Sequence, residues 1–336
     1  MTNNPQFQRP SFNFRGRKSP LTLTIGALVV IGALFTALSG FYADWLWFKS
    51  VNFTSTWSTV LGTKALLFVF VGLVTALFIM LNVLVAYKRR PLYVPMTVEA
   101  DNLERYRAQI QPIRRAVFIA GFLALFYFAG SSGSTLWSTW LQFKNSTEFG
   151  VTDPQFNLDI SFFAFRLPFW QTAIGWGIST LVLAIIASVA VHYLYGGIRL
   201  QVREDRTTVA ARVQLSVLLG LVVLLKAVAY WFDRYALALK DSKLITGLTY
   251  TDVNAVLPAK AILTGIAVVC ALLFFANIVR RSWVLPAAGT ALLVISSVLI
   301  AGLYPAAIQN FQVKPSESSK EAEYIQRNID ATRVAF

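Results

Sequence analysis

The residues of this sequence that could carry chemistry are polar side chains set within long apolar runs. Lys226 lies in one such run, and a charged side chain in the middle of a bilayer costs about 3 kcal/mol on insertion scales. It could bind an anion, a lipid head group or a proton, or it could extend its ammonium group to the membrane surface. Because Lys226 lies near the predicted outer end of its run and near Asp233, we favour the second interpretation.

Three further polar residues lie in or at the end of apolar runs: Asn82, Asn277 and His192. Side chains of this kind usually form hydrogen bonds between membrane helices, worth about 0.6 kcal/mol each on average. We therefore predict that they join helices to one another. The alternative is a polar or lipid-contacting site inside the bundle.

A second group of candidates lies between the apolar runs, in segments that the topology below places outside the membrane. Calcium binds six to eight oxygen ligands, but the spacing of these carboxylates matches no calcium loop, and turns and helix caps explain them. An arginine among them would pair with a nearby acid, Asp159 for example. We expect structural or interaction roles for Asp44, Trp45, Trp47, Asp159, Arg166, Tyr250 and Asp252.

Several classes of protein are disfavoured by composition and by missing motifs. One cysteine, Cys270, and one histidine exclude an intrachain disulfide and leave little room for a metal cage. Phosphate-loop, dinucleotide, zinc-protease and CxxC motifs are absent. The net charge of +14 would suggest nucleic acid in a soluble protein, but here the basic residues lie at the ends of apolar runs. We expect no enzyme activity, cofactor, metal or nucleic-acid partner.

The elements that hold these residues are predicted membrane helices. Hydrophobic residues make up 56% of the chain and charged residues 14%, whereas soluble proteins carry about a quarter charged residues. Seven runs reach the roughly 20 residues needed to cross a bilayer as a helix. The sequence therefore predicts an all-α polytopic membrane bundle with short interfacial helices in the outer loops. The predicted spans are residues 21–41, 64–87, 116–133, 169–195, 213–231, 261–279 and 283–304.

Lysine and arginine residues predict the orientation of the bundle. They concentrate in the N-terminal tail and in alternate loops, which marks that side as cytoplasmic. The sequence thus predicts a multi-pass protein of the cell membrane with a cytoplasmic tail (1–20), a seven-helix domain (21–304) and the start of an extracytoplasmic region (305–336). The basic residues on the predicted inner side are Arg9, Arg15, Arg17, Lys18, Lys88, Arg89, Arg90, Arg105, Arg107, Arg114, Arg115, Arg199, Arg203, Arg206, Arg212, Arg280 and Arg281.

The longest inner loop carries a predicted helix of its own. Between Pro95 and Pro112, apolar residues recur at helical spacing at Leu103, Tyr106 and Ile110. Basic segments beside the inner leaflet gain about 1 kcal/mol per charge from anionic lipid. The loop would either contact anionic lipids or a protein partner, or remain solvated and only determine topology.

The last segment of the sequence is predicted to form a helix outside the membrane. Ser318 and Glu321 have the spacing of a capping box, and Ile325, Ile329 and Thr332 mark one face. No polar stop signal precedes Phe336. We therefore expect the natural protein to continue into an extracytoplasmic region.

Four segments resemble the bacterial UPF0182 family of uncharacterised membrane proteins. They are YADWLWFKSVNF (42–53), TDPQFNLDISFFAFRLPFW (152–170), GLTYTDVNAVLPAKAIL (247–263), and FQVKPSES with YIQRNIDATRVAF (311–318 and 324–336). The resemblance implies about seven N-terminal membrane helices followed by a large extracytoplasmic region. It implies no reaction and no catalytic residues. The stretch SESSKEAE departs from the family's version, which contains Asn-Glu-Leu.

Three functions remain open on this basis. The first is a membrane anchor or scaffold for an extracytoplasmic domain, with protein partners in the membrane or cell envelope. The second is a transport or lipid-handling protein with a path between helices near Lys226. The third is an accessory subunit of a membrane protease or an envelope-biosynthesis complex.

Overall fold

The apolar runs form helices because a backbone surrounded by lipid must satisfy its polar groups within each segment. A computed structural model describes residues 20–91, 98–200, 206–242, 245–280 and 284–335. The predictions that concern the tail residues Arg9, Arg15, Arg17 and Lys18, and those for Arg203 and Arg281, lie outside the described residues.

Eleven α-helices are numbered here along the described part of the chain. Seven helical stretches are long and apolar enough to cross a membrane. The only strand-like pairings among the described residues are three isolated bridges, so the predicted all-α membrane bundle is confirmed. The helices are α1 (Pro20–Ser50), α2 (Thr54–Lys88), α3 (Val98–Ile110), α4 (Arg114–Ser134), α5 (Trp137–Lys144), α6 (Leu167–Leu194), α7 (Val209–Ala236), α8 (Leu257–Arg280), α9 (Val284–Ser296), α10 (Tyr304–Ala307) and α11 (Glu317–Ala335).

The helices extend well beyond the predicted spans at several ends. Helix α1 continues to Ser50 and α2 begins at Thr54, so the segment predicted as a loop is largely helical. Asn52 takes the left-handed conformation (φ 60°) in the short link between the two helices, which asparagine tolerates better than most residues. Asp44, Trp45 and Trp47 therefore lie in α1, which corrects their predicted loop position.

The chain remains helical from α9 to α11. A π-helical turn (Ser297–Leu303) joins α9 to α10, and a second π turn (Ile308–Val313) with a 3₁₀ turn (Lys314–Ser316) joins α10 to α11. The prediction that a separate helix starts at a capping box on Ser318 is therefore wrong. Ser318 lies inside α11, and the Glu321 carboxylate accepts a hydrogen bond from elsewhere in the chain.

Each of the four π turns in the described chain ends just before a proline. Proline has no N–H and its ring clashes with the carbonyl four residues back, and a wider turn is one way to keep the helix running through it. In each turn the residue before the proline donates its N–H to the carbonyl five residues earlier. The prolines are Pro168, Pro258, Pro305 and Pro315, which follow the turns Phe162–Arg166, Asp252–Val256, Ser297–Leu303 and Ile308–Val313.

The described residues divide into two compact units, up to Gly62 and from Thr63 onward. In the first unit, α1 meets the start of α2 where the rings of Phe41 and Trp57 pack edge to face with centroids 5.0 Å apart. In the second, Ile79 of α2, Leu181 and Ala184 of α6, and Leu218 of α7 form a buried cluster.

Helices α2 and α4 approach each other closely at glycines. A Cβ atom on Gly130 would lie 2.6 Å from the carbonyl oxygen of Phe68, and one on Gly72 would lie 2.6 Å from that of Phe126. Small residues allow membrane helices to pack backbone against backbone. The two glycines therefore determine how near α2 and α4 can come.

Candidate functional site

A buried polar site lies where the segment before α8 meets the last helical run, and we call it the junction (Lys240, Thr249, Tyr250, Asp252, Gln309 and Glu321). The Asp252 side chain is only 1% exposed. Its carboxylate accepts hydrogen bonds from Lys240 Nζ at 2.8 Å and from the Thr249 hydroxyl at 2.8 Å. A buried carboxylate is stable only when paired in this way. Asp252 therefore joins Lys240 to Thr249 through hydrogen bonds.

A capping box positions Asp252. The Thr249 hydroxyl accepts a hydrogen bond from the Asp252 backbone N–H at 3.3 Å, and the Asp252 carboxylate accepts one from the Thr249 N–H at 3.2 Å. This reciprocal pair is the capping-box arrangement, with an acid three residues after the N-cap. Thr249 is the cap, and Asp252 is its partner.

Helix α11 is attached to this segment through several hydrogen bonds. The Tyr250 N–H donates to Glu321 Oε2 at 2.9 Å, across 71 positions of sequence. The Thr251 hydroxyl donates to the side-chain oxygen of Gln309, and Asn328 Nδ2 donates to the Thr246 carbonyl at 2.8 Å. Because three separate turns of the last helical run take part, α11 has a defined position on the bundle.

A further bond joins α11 to the segment before α6. Arg327 Nη1 donates to Gln155 Oε1 at 3.1 Å. The aromatic rings of Tyr250 and Tyr324 pack edge to face with centroids 6.3 Å apart. The contacts of α11 thus spread over two distant segments of the sequence.

A cavity of about 220 Å³ opens beside the junction, lined by Lys240, Thr249, Gln309, Glu317, Glu321 and Ile325. Its walls carry one ammonium group, carboxylates and hydroxyl groups, which suit a small polar or cationic ligand or ordered water. Among the residues that the structure describes, no three His, Cys, Asp or Glu side chains are grouped to hold a metal ion.

Asp159 organises the loop that precedes α6. Its carboxylate accepts hydrogen bonds from the backbone N–H groups of Phe149 at 3.1 Å, Gly150 at 2.9 Å and Ser161 at 2.8 Å. Hydrogen bonding from the Ser161 side chain, and then from these N–H groups, lowers the pKa of Asp159 from its ordinary value of 3.8 to about 2. The predicted ion pair with Arg166 does not form, and Arg166 Nε points to the Ser146 hydroxyl at 3.4 Å.

The Asp159 carboxyl group is expected to titrate near pH 2. Because the pKa is lower in the folded protein than in the unfolded chain, ionised Asp159 stabilises the loop above about pH 4. That contribution is lost as the pH falls from about 4 to about 2. The carbon resonance of the carboxyl group, assigned by its loss in Asp159→Asn, would report the midpoint. A midpoint at 3.8 or above would contradict the hydrogen-bonding scheme.

Two of the predicted intramembrane residues meet in one network between α2, α6 and α7. Gln214 lies at its centre: Nε2 donates to the backbone carbonyl of Asn82 at 2.9 Å, and lies 3.3 Å from both Asn82 Oδ1 and the Ser188 hydroxyl. The ring Nε2 of His192 lies 3.0 Å from Gln214 Oε1. His192 is 1% exposed. The network joins three helices within the bundle.

The remaining intramembrane candidates lie apart from this network. Asn277 Nδ2 donates to the Ser216 hydroxyl at 2.7 Å, which joins α8 to α7. The Lys226 ammonium lies 5.2 Å from the centre of the Tyr230 ring on the exposed surface of α7. Asp233, which the sequence placed near Lys226, instead forms an ion pair with Lys260 at 3.4 Å.

Sequence reasoning missed the residues that organise both sites. Gln214 is a lone amide in an apolar run, so the signal that singles out Asn82 also applies to Gln214. Glu321 lies in a polar segment, and nothing in its local sequence indicates its contact with the Tyr250 N–H, 71 positions away. The predicted aromatic residues of α1 contact near neighbours: Trp45 stacks on Tyr42 at 5.7 Å.

The amino-acid sequence of this chain is similar to those of a family of bacterial proteins. Residues 21–336 match the model of a family described as "Uncharacterised protein family (UPF0182)". A UPF0182 protein of Streptomyces coelicolor is 47% identical over 98% of this chain and 33% of its own length. One of Thermobifida fusca is 48% identical over 95% of the chain and 32% of its own length. The chain therefore spans about a third of these relatives. No solved structure matches.

Proposed function

This chain belongs to the UPF0182 family of uncharacterised proteins. We propose that its helical bundle lies in the cell membrane, where it anchors and orients a region of the protein outside the cytoplasm. In this proposal the bundle is a scaffold without catalytic activity of its own. Protein partners in the membrane or the cell envelope would contact the outer loops and the region that α11 supports.

The observation that carries the proposal is the attachment of α11 to the bundle. A helix joined to a membrane span by a freely moving linker would not control the orientation of what it supports. Here the run from α9 to α11 stays helical, and α11 is bonded to Tyr250, Thr246 and Gln155. Such a connection suits a part that must be held at a constant angle to the membrane.

The distribution of charge supports the orientation. Arg90 follows the end of α2, Arg107 lies in the last turn of α3 and Arg114 begins α4. Three membrane-length stretches, which contain α4, α6 and α7, come between these arginines and Lys240 of the junction, so alternating crossings would put the two groups on opposite sides. Cytoplasmic loops carry the excess of lysine and arginine. The proposal therefore has a cytoplasmic N-terminus, with the junction on the outer side.

Spin labels would test whether the junction holds α11 in place. The one cysteine of this 336-residue chain, Cys270, is buried, so labels can be directed to new cysteines placed in the chain at Leu239 and Ala331. We expect a narrow distance distribution between the two labels. Replacing Glu321 with Gln and Asn328 with Ala should broaden it, because two of the bonds that position α11 are weakened or lost.

The control is Gln326→Ala, which changes a side chain on α11 that bonds only Asp330 in the same helix and should leave the distribution narrow. The same cysteine at Ala331 should react with a membrane-impermeant maleimide added to intact cells. A broad distribution in the unmodified protein, or labelling only after lysis, would overturn the proposal.

A second candidate function, lipid handling, has one specific observation in its favour. A crevice of about 400 Å³ lies between α2, α5 and α6, with an almost wholly apolar lining that includes Phe70, Trp140, Phe169 and Trp176. Its chemistry fits a hydrocarbon chain. Lipid handling would require an acyl chain to enter this crevice, whereas anchoring does not.

A further inference from the structure

A pocket lies where α2, α3, α4 and α6 come together, and we call it the arginine pocket after its charged and aromatic lining residues (Tyr87, Arg90, Arg107, Arg114 and Tyr195). Pro91 and Gln111 complete the lining. The pocket encloses about 270 Å³. Tyr87 lies in the last turn of α2 and Arg90 just after that helix, Arg107 belongs to the last turn of α3, Arg114 begins α4, and Tyr195 follows α6. Residues from four helices thus converge on one point.

Two tyrosine rings form the floor on which the guanidinium groups rest. The rings of Tyr87 and Tyr195 pack edge to face with centroids 5.0 Å apart. The Arg90 guanidinium lies 4.3 Å from the Tyr87 ring and 5.6 Å from that of Tyr195. Arg114 lies 5.1 Å from the Tyr87 ring and also donates a hydrogen bond to its hydroxyl. Stacking on rings keeps the guanidinium edges free to donate.

Arg107 is held by its neighbour and still has a donor without an acceptor. Its Nε donates to the Leu194 carbonyl at 2.5 Å, and its guanidinium lies 5.7 Å from the Tyr195 ring. Its Nη2 is buried and has no hydrogen-bond partner among the described residues. A buried donor of this kind loses the hydrogen bonds it would make in water, so an acceptor supplied by a ligand would stabilise it.

All the charged side chains among the described residues that line the pocket are basic. The described part of the chain contains four ion pairs, and none of them involves Arg90, Arg107 or Arg114. Three like charges around one cavity repel one another, and an anion between them would remove that repulsion. Guanidinium groups bind phosphate oxygens through paired N–H donors, which matches phosphate better than a single point charge would.

We propose that the arginine pocket binds the phosphate group of an anionic membrane phospholipid. The pocket lies at the ends of membrane-length helices, α2 and α6 among them, and that is the depth of lipid head groups. Tyrosine rings are also enriched at this depth. A bound phosphate would join α3 to α2, α4 and α6, so the lipid would act as a structural ligand. The inference does not depend on the proposed anchoring function.

Native mass spectrometry of the protein released from nanodiscs would test the proposal. The discs contain phosphatidylcholine with a minor fraction of phosphatidylglycerol. We expect one phosphatidylglycerol to remain bound to the unmodified chain, and Arg90→Gln to weaken its retention about tenfold or more, as for loss of a charged hydrogen-bonding group. Arg114→Gln should have a similar effect, but it also removes the hydrogen bond from Arg114 to the Tyr87 hydroxyl that joins α4 to α2, so Arg90→Gln is the more specific variant.

Arg89→Gln is the matched control, since it removes the same charge from the neighbouring exposed residue outside the pocket. Inorganic phosphate at millimolar concentration forms the second arm, read by thermal stability in neutral detergent. Equal loss of lipid in Arg89→Gln and Arg90→Gln would reduce the effect to general charge and overturn the proposal. Stabilisation by inorganic phosphate that disappears in Arg90→Gln, without lipid retention, would assign the pocket to free phosphate instead and overturn the lipid assignment.

Discussion

Replacing Asp252 with alanine is expected to lower the free energy of unfolding of the helical bundle by about 2–4 kcal/mol. The change removes a buried carboxylate and leaves the Lys240 ammonium and the Thr249 N–H and hydroxyl without their acceptor. Breaking a fully buried pair costs about 3–5 kcal/mol, and the lower range applies here because the Lys240 side chain is 48% exposed. Thermal unfolding in detergent, followed by tryptophan fluorescence, would measure the loss.

Asp241→Ala is a control in the same segment, since the Asp241 side chain is exposed and, among the described residues, accepts a hydrogen bond only from the Thr246 hydroxyl. Substitutions of this kind usually change stability by about 0.5 kcal/mol or less. Asp252→Asn should fall between the two, because the amide oxygen still accepts one hydrogen bond but carries no charge for Lys240. If Asp252→Ala unfolds at the same temperature as Asp241→Ala, the junction contributes nothing to stability.

Alanine at Gly130 is expected to destabilise the bundle by about 1–3 kcal/mol, the usual cost of overpacking a close contact. The new Cβ would lie 2.6 Å from the Phe68 carbonyl oxygen and 3.0 Å from a carbon of its ring. A backbone oxygen cannot turn aside as a side chain can, so α2 and α4 must move apart. The separation removes the close packing that joins them.

The sign of the effect makes this result informative. In a helix without such a contact, glycine to alanine stabilises by up to about 1 kcal/mol through helix propensity. Gly265 in α8 has open space around its Cα, so Gly265→Ala should be neutral or stabilising. Thermal midpoints of the two variants should therefore move in opposite directions. Equal midpoints for both would mean that α2 and α4 are not in close contact.

The seven membrane spans could be predicted from the sequence because they depend on composition alone. An apolar run of sufficient length must satisfy its own backbone, whatever it packs against. The ends of the helices were predicted less well, because charged residues such as Asp44 and Lys49 are typical of a polar loop. A helix continues through such residues at a membrane surface, where water and lipid head groups solvate the side chains while the backbone keeps its bonds. The ends of α1 and α2 show this directly.

The junction could not be predicted because its contacts join distant positions. The bond between Tyr250 and Glu321 depends on how the last helical run returns to the bundle, and no local pattern encodes that path. The spacing of Ser318 and Glu321 instead predicted a local capping box, whereas Glu321 accepts its hydrogen bond from Tyr250. The capping box that forms, Thr249 with Asp252, has the acid in the third position after the cap. That spacing is visible in the sequence.

The wide turns before Pro305 and Pro315 also bear on how the molecule moves. Helix α9 and helix α11 belong to one continuous helical run, so a change in the tilt of α9 would reach α11 through the turns between them. The two π turns between them have looser hydrogen-bond ladders than the α-helical parts, so bending would concentrate there. Membrane thickness influences the tilt of a spanning helix. A change in thickness would therefore alter the position of α11, to an extent that depends on how far the two π turns bend.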